Sequence, residues 1–225
     1  MAAMQKILAE LEQPYMDSLL NGVDIGKDDT VLDVGFGAGG FTDILAKRAK
    51  IVTPLGIKDF MTGAEAEKHD IVFAAKNPAI TKIKKLNSLA KKYAIVIGFA
   101  DPYMKPPLID ELFKDTSVPS PDGKKPRQPP IPDRRLHYNV SWNLAYDLGA
   151  EPNIKIVDAG YTKTFEDEGA AIDYLRRIKH FEDEYLPVFK NNLAPWLIQN
   201  ADGSVIYRRE IKTYVLWWKP VPAEG

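Results

Sequence analysis

Apolar residues recur along this chain with two periods. Between residues 3 and 21, Ile7, Leu8, Leu11, Met16, Leu19 and Leu20 fall near one face of a helix, which Pro14 is expected to interrupt. The run 31–34 is β-branched and apolar, the pattern of a short buried strand. From Phe41 to Lys50 the helical spacing returns through Phe41, Ile44, Leu45 and Ala49, ending in Lys and Arg, which suit a helix C-terminus. Further strands are predicted over 51–57, 70–74, 93–99 and 154–158, and helices over 80–92, 137–148, 166–180 and 182–193. The closing stretch DGSVIYRREIKTYVLWWKP reads as two β-rich segments joined as an antiparallel hairpin.

Helices alternating with apolar runs imply an α/β fold, its mainly parallel sheet covered on both faces. The 31–35 strand is expected at its centre and antiparallel strands at its C-terminal end. The whole chain, 1–225, is expected to form one domain with three embellishments: the N-terminal helix (3–21), an excursion at 101–136 and a helical insert at 166–193. Proline, glycine and charge concentrate in the excursion and leave room for one short helix, at 108–113.

Composition narrows the function classes. A chain of 225 residues, 45% of them hydrophobic, can bury a substantial core. Its net charge of −1 gives no overall electrostatic case for a nucleic-acid or membrane partner, so neither is expected. Without cysteine there are no disulfides, zinc–thiolate sites or thiol catalysis. The N-terminus carries acids and lacks a long apolar core, and no stretch is long enough to span a bilayer; a cytoplasmic location is expected. Lys82, Lys84, Lys85, Lys91 and Lys92 read as a solvated helix face before they read as a phosphate surface. His69, His137 and His180 have no metal-ligand spacing, and no metal is expected.

The chemistry concentrates at one place. Gly35, Gly37, Gly39 and Gly40 lie between the 31–34 strand and the helix that follows. Glycine permits unusual dihedrals and close backbone approach there, and the free N–H groups of the helix start can bind anionic or polar groups. The same glycines also suit a tight packing turn with no ligand. Gly35, Gly37 and Gly40 satisfy the dinucleotide pattern G-x-G-x-x-G, but that pattern wants an acid about 20 residues on, where Gly56 stands.

VLDVGFGAGGFT resembles motif I of the class I S-adenosylmethionine-dependent methyltransferases, an apolar strand, an acid, one residue and then G-x-G-x-G. Asp33, Gly35, Gly37 and Gly39 match it position by position. The resemblance implies a Rossmann-like methyltransferase sandwich, S-adenosylmethionine as cofactor and a small-molecule acceptor. It implies cofactor-binding positions at Asp33, Gly35, Phe36, Gly37, Gly39, Gly56 and Asn77, with Asp33 beneath the donor's amino-acid end. It also implies an N-terminal helix, carrying Gln13 and Tyr15, over the donor. The segments DIVFAAKNPAI and YAIVIG look like the family's fourth and fifth strands, and Asn77-Pro78 lies where that fold places transfer.

Two departures accompany the match. The family's second strand usually ends in an Asp or Glu that binds both ribose hydroxyls, whereas here Gly56 takes that place. The 58–69 connection has room for one short helix but not for the family's third strand. Its loss would leave the second strand at a sheet edge, open to cover or to pairing of two copies as a homodimer. His137, Tyr138 and Tyr15 are the candidate catalytic side chains; His137 opens a helix after the proline-rich excursion. Tyr15, Tyr138, Trp142, Tyr146, Trp217 and Trp218 could line an aromatic cage, although aromatics at such spacing commonly pack in cores. Two further readings stand beside methyl transfer: a non-catalytic relic of that fold serving as a binding or scaffold module, and an NAD-binding oxidoreductase.

Overall fold

A computed structural model describes residues 2–37, 39–63, 66–100, 108–116 and 137–222. Its first half alternates strongly. Helix α1 (Ala2–Leu20) leads to β1 (Thr30–Val34), α2 (Gly40–Arg48), β2 (Ile51–Leu55), α3 (Ile57–Thr62) and β3 (His69–Ala75). A 3-10 turn at Pro78–Thr81, α4 (Ile83–Leu89) and β4 (Ala90–Phe99) follow. The second half holds α5 (Leu108–Leu112), α6 (Tyr138–Tyr146), β5 (Asn153–Phe165), α7 (Glu168–Leu175), α8 (Leu186–Leu193), β6 (Leu197–Gln199) and β7 (Val205–Trp218).

Among the described residues seven strands form one sheet in the order β2-β1-β3-β4-β7-β5, with β6 also on β7. β1 is parallel to β2 and β3, and β3 to β4. β7 is antiparallel to β4 and to β6. The fold is therefore α/β, mainly parallel, with antiparallel strands at its C-terminal end. β1 lies inside the sheet and β2 at its edge, where most of β2 remains exposed.

The chain divides into two compact units. One comprises residues 13–102, 133–159 and 211–225. Alternation along its strands makes two apolar layers. Leu32, Val34, Val72, Ala74, Ala94 and Val96 point to one face with Tyr214, Leu216 and Trp218. Val31, Ile71, Phe73, Ile95, Ile97 and Val215 point to the other with Ile44 and Leu45 of α2. The second unit comprises residues 1–12, 103–132 and 160–210. Its core joins Ile7 and Leu11 to Leu112, Phe113, Leu175, Phe189 and Tyr207. There Arg209, 1% exposed, is held by Glu111 at 2.6 Å.

Several local expectations are corrected. α1 runs through Pro14, because buried side chains anchor it on both sides, Ile7 and Leu11 before and Met16, Leu19 and Leu20 after. β2 stops at Leu55; Ile57 opens α3 instead of extending the strand. The 80–92 helix is shorter, since β4 already begins at Ala90. The C-terminal stretch is one 14-residue strand whose hairpin partner is β6, upstream of the Asp202-Gly203 turn. Within the 101–136 excursion, α5 falls where the short helix was expected; residues 101–107 and 117–136 lie outside the described residues.

Candidate functional site

The sheet order creates a crevice. β1 connects to β2 on one side, while β3 connects to β4 on the other, so the order reverses between β1 and β3. In open α/β sheets ligands bind at the carboxyl ends of the strands that flank such a reversal. The glycine turn leaves β1 at this point, and Lys76-Asn77-Pro78 leaves β3 beside it.

The turn has an unusual backbone. Gly35, Gly37 and Gly39 take φ of +73°, +57° and +87°, a region that side-chain-bearing residues enter only at a cost. The Gly35 N–H donates to Leu55 O at 2.7 Å, and the Gly39 N–H to Phe36 O at 2.9 Å. Among the described residues a β-carbon added at Gly37 would meet only the Gly35 carbonyl, at 4.0 Å, and one at Gly39 would meet nothing within 4 Å. Among those residues the space over the turn is open. Phe36 stands 42% exposed beside it.

Asp33 is buried beneath the turn, and its Oδ2 accepts from Thr42 Oγ1 at 2.6 Å. Burial holds its carboxyl above the ordinary 3.8, and the Thr42 hydrogen bond offsets this in part. Asn77 braces the turn from the β3 side. Its Nδ2 donates to Val34 O at 2.8 Å and to Ala75 O at 3.1 Å, and its Oδ1 accepts from the Ala79 N–H at 2.9 Å. The amide of Asn77 is thus engaged with backbone.

At the end of β2, Gly56 is extended (φ −60°, ψ 139°) and caps α3. A carboxylate stands there after all. Asp59, one helical turn on, brings Oδ2 to 2.9 Å from where a Gly56 β-carbon would lie. β2 ends two residues before the expected 57, so Asp59 falls in the first turn of a helix that starts at Ile57.

The proposed catalytic side chains do not converge. Tyr15 packs with the α2-side layer and Tyr138 with the opposite one, 6.1 Å from the Tyr214 ring. Trp217 and Trp218 likewise divide between the layers. No single aromatic cage can form across the sheet from these residues. His137 precedes α6, and its Nε2 is buried with no hydrogen-bond partner among the described residues. His69 is occupied by Glu67 O and Thr53 Oγ1, and no metal-binding cluster occurs among the described residues. Lys92 pairs with Asp24 and Asp29, and Lys85 donates to Phe60 O. Lys82, Lys84 and Lys85 also line a cavity of about 680 Å³ with Leu144 and Asp147.

Lys76 went unnoticed in the sequence. It is a non-glycine residue at φ +52°, directly after β3, with its Nζ 5.4 Å from the centre of the Phe99 ring. Burial pulls its amine down to about 8.

No family model and no curated protein matches this sequence. Solved structures do. A cyclopropane-fatty-acyl-phospholipid synthase-like protein from Lactobacillus casei is similar at 9% identity, over 94% of this chain and 92% of its own, with a TM-score of 0.47. Precorrin 8W decarboxylase from Methanobacterium thermoautotrophicum is similar at 13% identity, over 91% and 89%, with a TM-score of 0.46. Geranyl diphosphate C-methyltransferase from Streptomyces coelicolor, solved with Mg2+, geranyl diphosphate and S-adenosyl-L-homocysteine, is similar at 14% identity, over 97% and 83%, with a TM-score of 0.47. Among the described residues no helix is long and apolar enough to cross a membrane.

Proposed function

We propose that this chain is an S-adenosylmethionine-dependent methyltransferase acting on a small molecule. One observation carries the reading: an acid, Asp33, two residues before three alternate glycines of positive φ, at the point where the strand order reverses. A dinucleotide turn explains the glycines equally well, but it does not ask for a buried acid at Asp33. Asp59 beside the end of β2 serves the ribose of either ligand and does not discriminate between them.

The residues present fit the donor. The open space at Gly37 and Gly39 lets its amino-acid end approach the backbone N–H groups of the turn. Asp33 underlies that end with Thr42 fixing its carboxyl. Asp59 supplies the carboxylate for the ribose hydroxyls that position 56 lacks. The expected loss of the family's third strand is consistent with α3 being the one element described between β2 and β3 and with β2 at the sheet edge.

The donor supplies a methyl group on a positive sulfur, transferred by in-line displacement. The protein's own part is to position the acceptor, exclude water and remove a proton where the acceptor carries one. Calorimetric titration of the protein with S-adenosylmethionine, S-adenosylhomocysteine and NAD tests the reading. Binding of the first two and not the third is expected. Binding of NAD alone overturns it, and donor binding without transfer to any acceptor would favour a non-catalytic binding module.

A further inference from the structure

The cavity beside α4 carries charge that the surrounding protein leaves uncompensated. It measures about 680 Å³, within the range of about 300–1,000 Å³ usual for small-molecule sites. Its walls are α4, the C-terminal end of α6 and the segment after β7, all parts of one compact unit. None of its lining residues belongs to the glycine turn, and Asp59 is not among them. It is a second place for a ligand.

One wall is fastened by a buried side chain. Asn87 of α4 is 5% exposed, and its amide is spent on the chain that ends and follows β7. Its Nδ2 donates to Val221 O at 2.8 Å. Its Oδ1 accepts from the Val221 N–H at 3.1 Å and from Trp218 Nε1 at 3.2 Å. These bonds hold Val221 against α4, and with Ile83, Leu144 and Leu148 it forms the apolar part of the lining.

The charged part is cationic. Lys82, Lys84 and Lys85 line the cavity, and Asp147 is the one acid in its lining. The ammonium groups of Lys82 and Lys84, both exposed, have no partner among the described residues. Lys85 donates to Phe60 O at 2.6 Å and stands 4.4 Å from the centre of the Phe60 ring. Both partners are neutral, so they fix its position and leave its charge. The lining thus holds two positive charges in excess. Lys92 of β4, by contrast, is neutralised by Asp24 and Asp29.

We propose that this cavity binds a phosphate monoester carrying a short apolar body. Charge selects the head. A phosphate monoester carries about −1.5 to −2 at pH 7, which matches the excess, and lysine ammonium groups bind phosphate as point charges. A carboxylate would leave one positive charge unmatched. The apolar lining selects the body, because a hydrocarbon seated on Ile83, Leu144, Leu148 and Val221 removes that surface from water. The site does not depend on the methyltransferase reading, since it shares no residue with the turn that carries it.

Calorimetric titration of the full chain with octyl phosphate, octanoate, octanol and inorganic phosphate tests the site, each octyl compound being kept below its micelle concentration. Octyl phosphate should saturate one site per chain. Octanoate and inorganic phosphate should bind more weakly, and octanol should give no measurable heat. Lys82→Gln combined with Lys84→Gln should weaken octyl phosphate about tenfold or more, through loss of two charge-assisted contacts. Asp147→Asn should tighten it about twofold or more, because the opposing charge is gone. Lys91→Gln, outside the lining, should leave affinity within about twofold.

Octanol binding as well as octyl phosphate overturns the proposal, as does an unaltered affinity in the double lysine variant or weaker binding in Asp147→Asn. Displacement of octyl phosphate by S-adenosylhomocysteine would put the ligand in the donor site and overturn a separate one. Absence of any saturable binding of octyl phosphate ends the proposal and leaves the methyltransferase reading untouched.

Discussion

A β-carbon placed on Gly35 would lie 2.6 Å from Nδ2 of Asn77, the atom that donates to Val34 O. The loop after β3 is thus built against the absence of a side chain in the loop after β1. Gly35→Ala must displace the amide and hold alanine at φ +73°. We expect a loss of about 2–3 kcal/mol in urea unfolding, from left-handed strain plus one hydrogen bond. Gly39→Ala, with open space and a similar φ, should lose only the strain, about 1–2 kcal/mol. Equal losses in the two variants would remove Asn77 from this account.

Asp59 and Gly56 make a second pair. If Asp59 holds the donor's ribose, Asp59→Asn should weaken S-adenosylmethionine binding about tenfold or more, given about 1.5–3 kcal/mol for a charged hydrogen bond. The backbone at Gly56 suits any residue, but a β-carbon there comes to 2.9 Å from the Asp59 carboxylate. Gly56→Asp alone should therefore not tighten binding, because two carboxylates would crowd one place. Gly56→Asp combined with Asp59→Asn should recover most of the affinity. Calorimetry of the four proteins checks this, and unaltered affinity in Asp59→Asn would remove Asp59 from the site.

Asp33 gives a prediction in pH. Burial raises its carboxyl above 3.8, so the folded protein keeps this proton to a higher pH than the unfolded chain does. The associated stability is fully present below the unfolded value and is lost as pH rises through the folded one. At neutral pH the charge on Asp33 is a cost to folding. Asp33→Asn, which keeps an oxygen for Thr42, should melt at a higher temperature than wild type at pH 7. The difference should shrink as pH falls toward about 4. A lower melting temperature for Asp33→Asn at pH 7 would show that the charge stabilises the fold. Donor affinity should fall in the same variant, separating function from stability.

Much of the architecture was legible in the chain. β1 was readable because its apolar run is buried on both faces, and α2 because its apolar spacing and basic C-terminus agree. The parallel order followed from the alternation, and the edge position of β2 from the short connection to β3. Pro14 misled, since local propensity penalises proline in a helix whereas tertiary burial on both sides of it prevails. The single strand Val205–Trp218 was also hidden. Its charged middle, Arg208 to Lys212, looks like a turn, but Arg209 is buried against Glu111.

The candidate site was legible only where backbone chemistry makes it. Three spaced glycines with positive φ leave a signature in the sequence; a lysine forced into the same region does not. Lys76 became visible only when Ile97 and Phe99, more than 20 residues on, were placed beside it. Asp59 comes beside Gly56 because β2 ends at Leu55, two residues before the expected 57. Tyr15 and Tyr138 were attractive by type and position, but the sheet separates them.

The most direct test of the central claim is calorimetric titration of wild type and Gly37→Val with S-adenosylmethionine. Among the described residues the space before residue 37 is open, so valine costs the strain of its φ, about 1–2 kcal/mol, and circular dichroism should report an intact fold. The account predicts donor binding by wild type and none by Gly37→Val, whose side chain fills the space the donor needs. Equal donor binding by both proteins, or binding by neither, would contradict it.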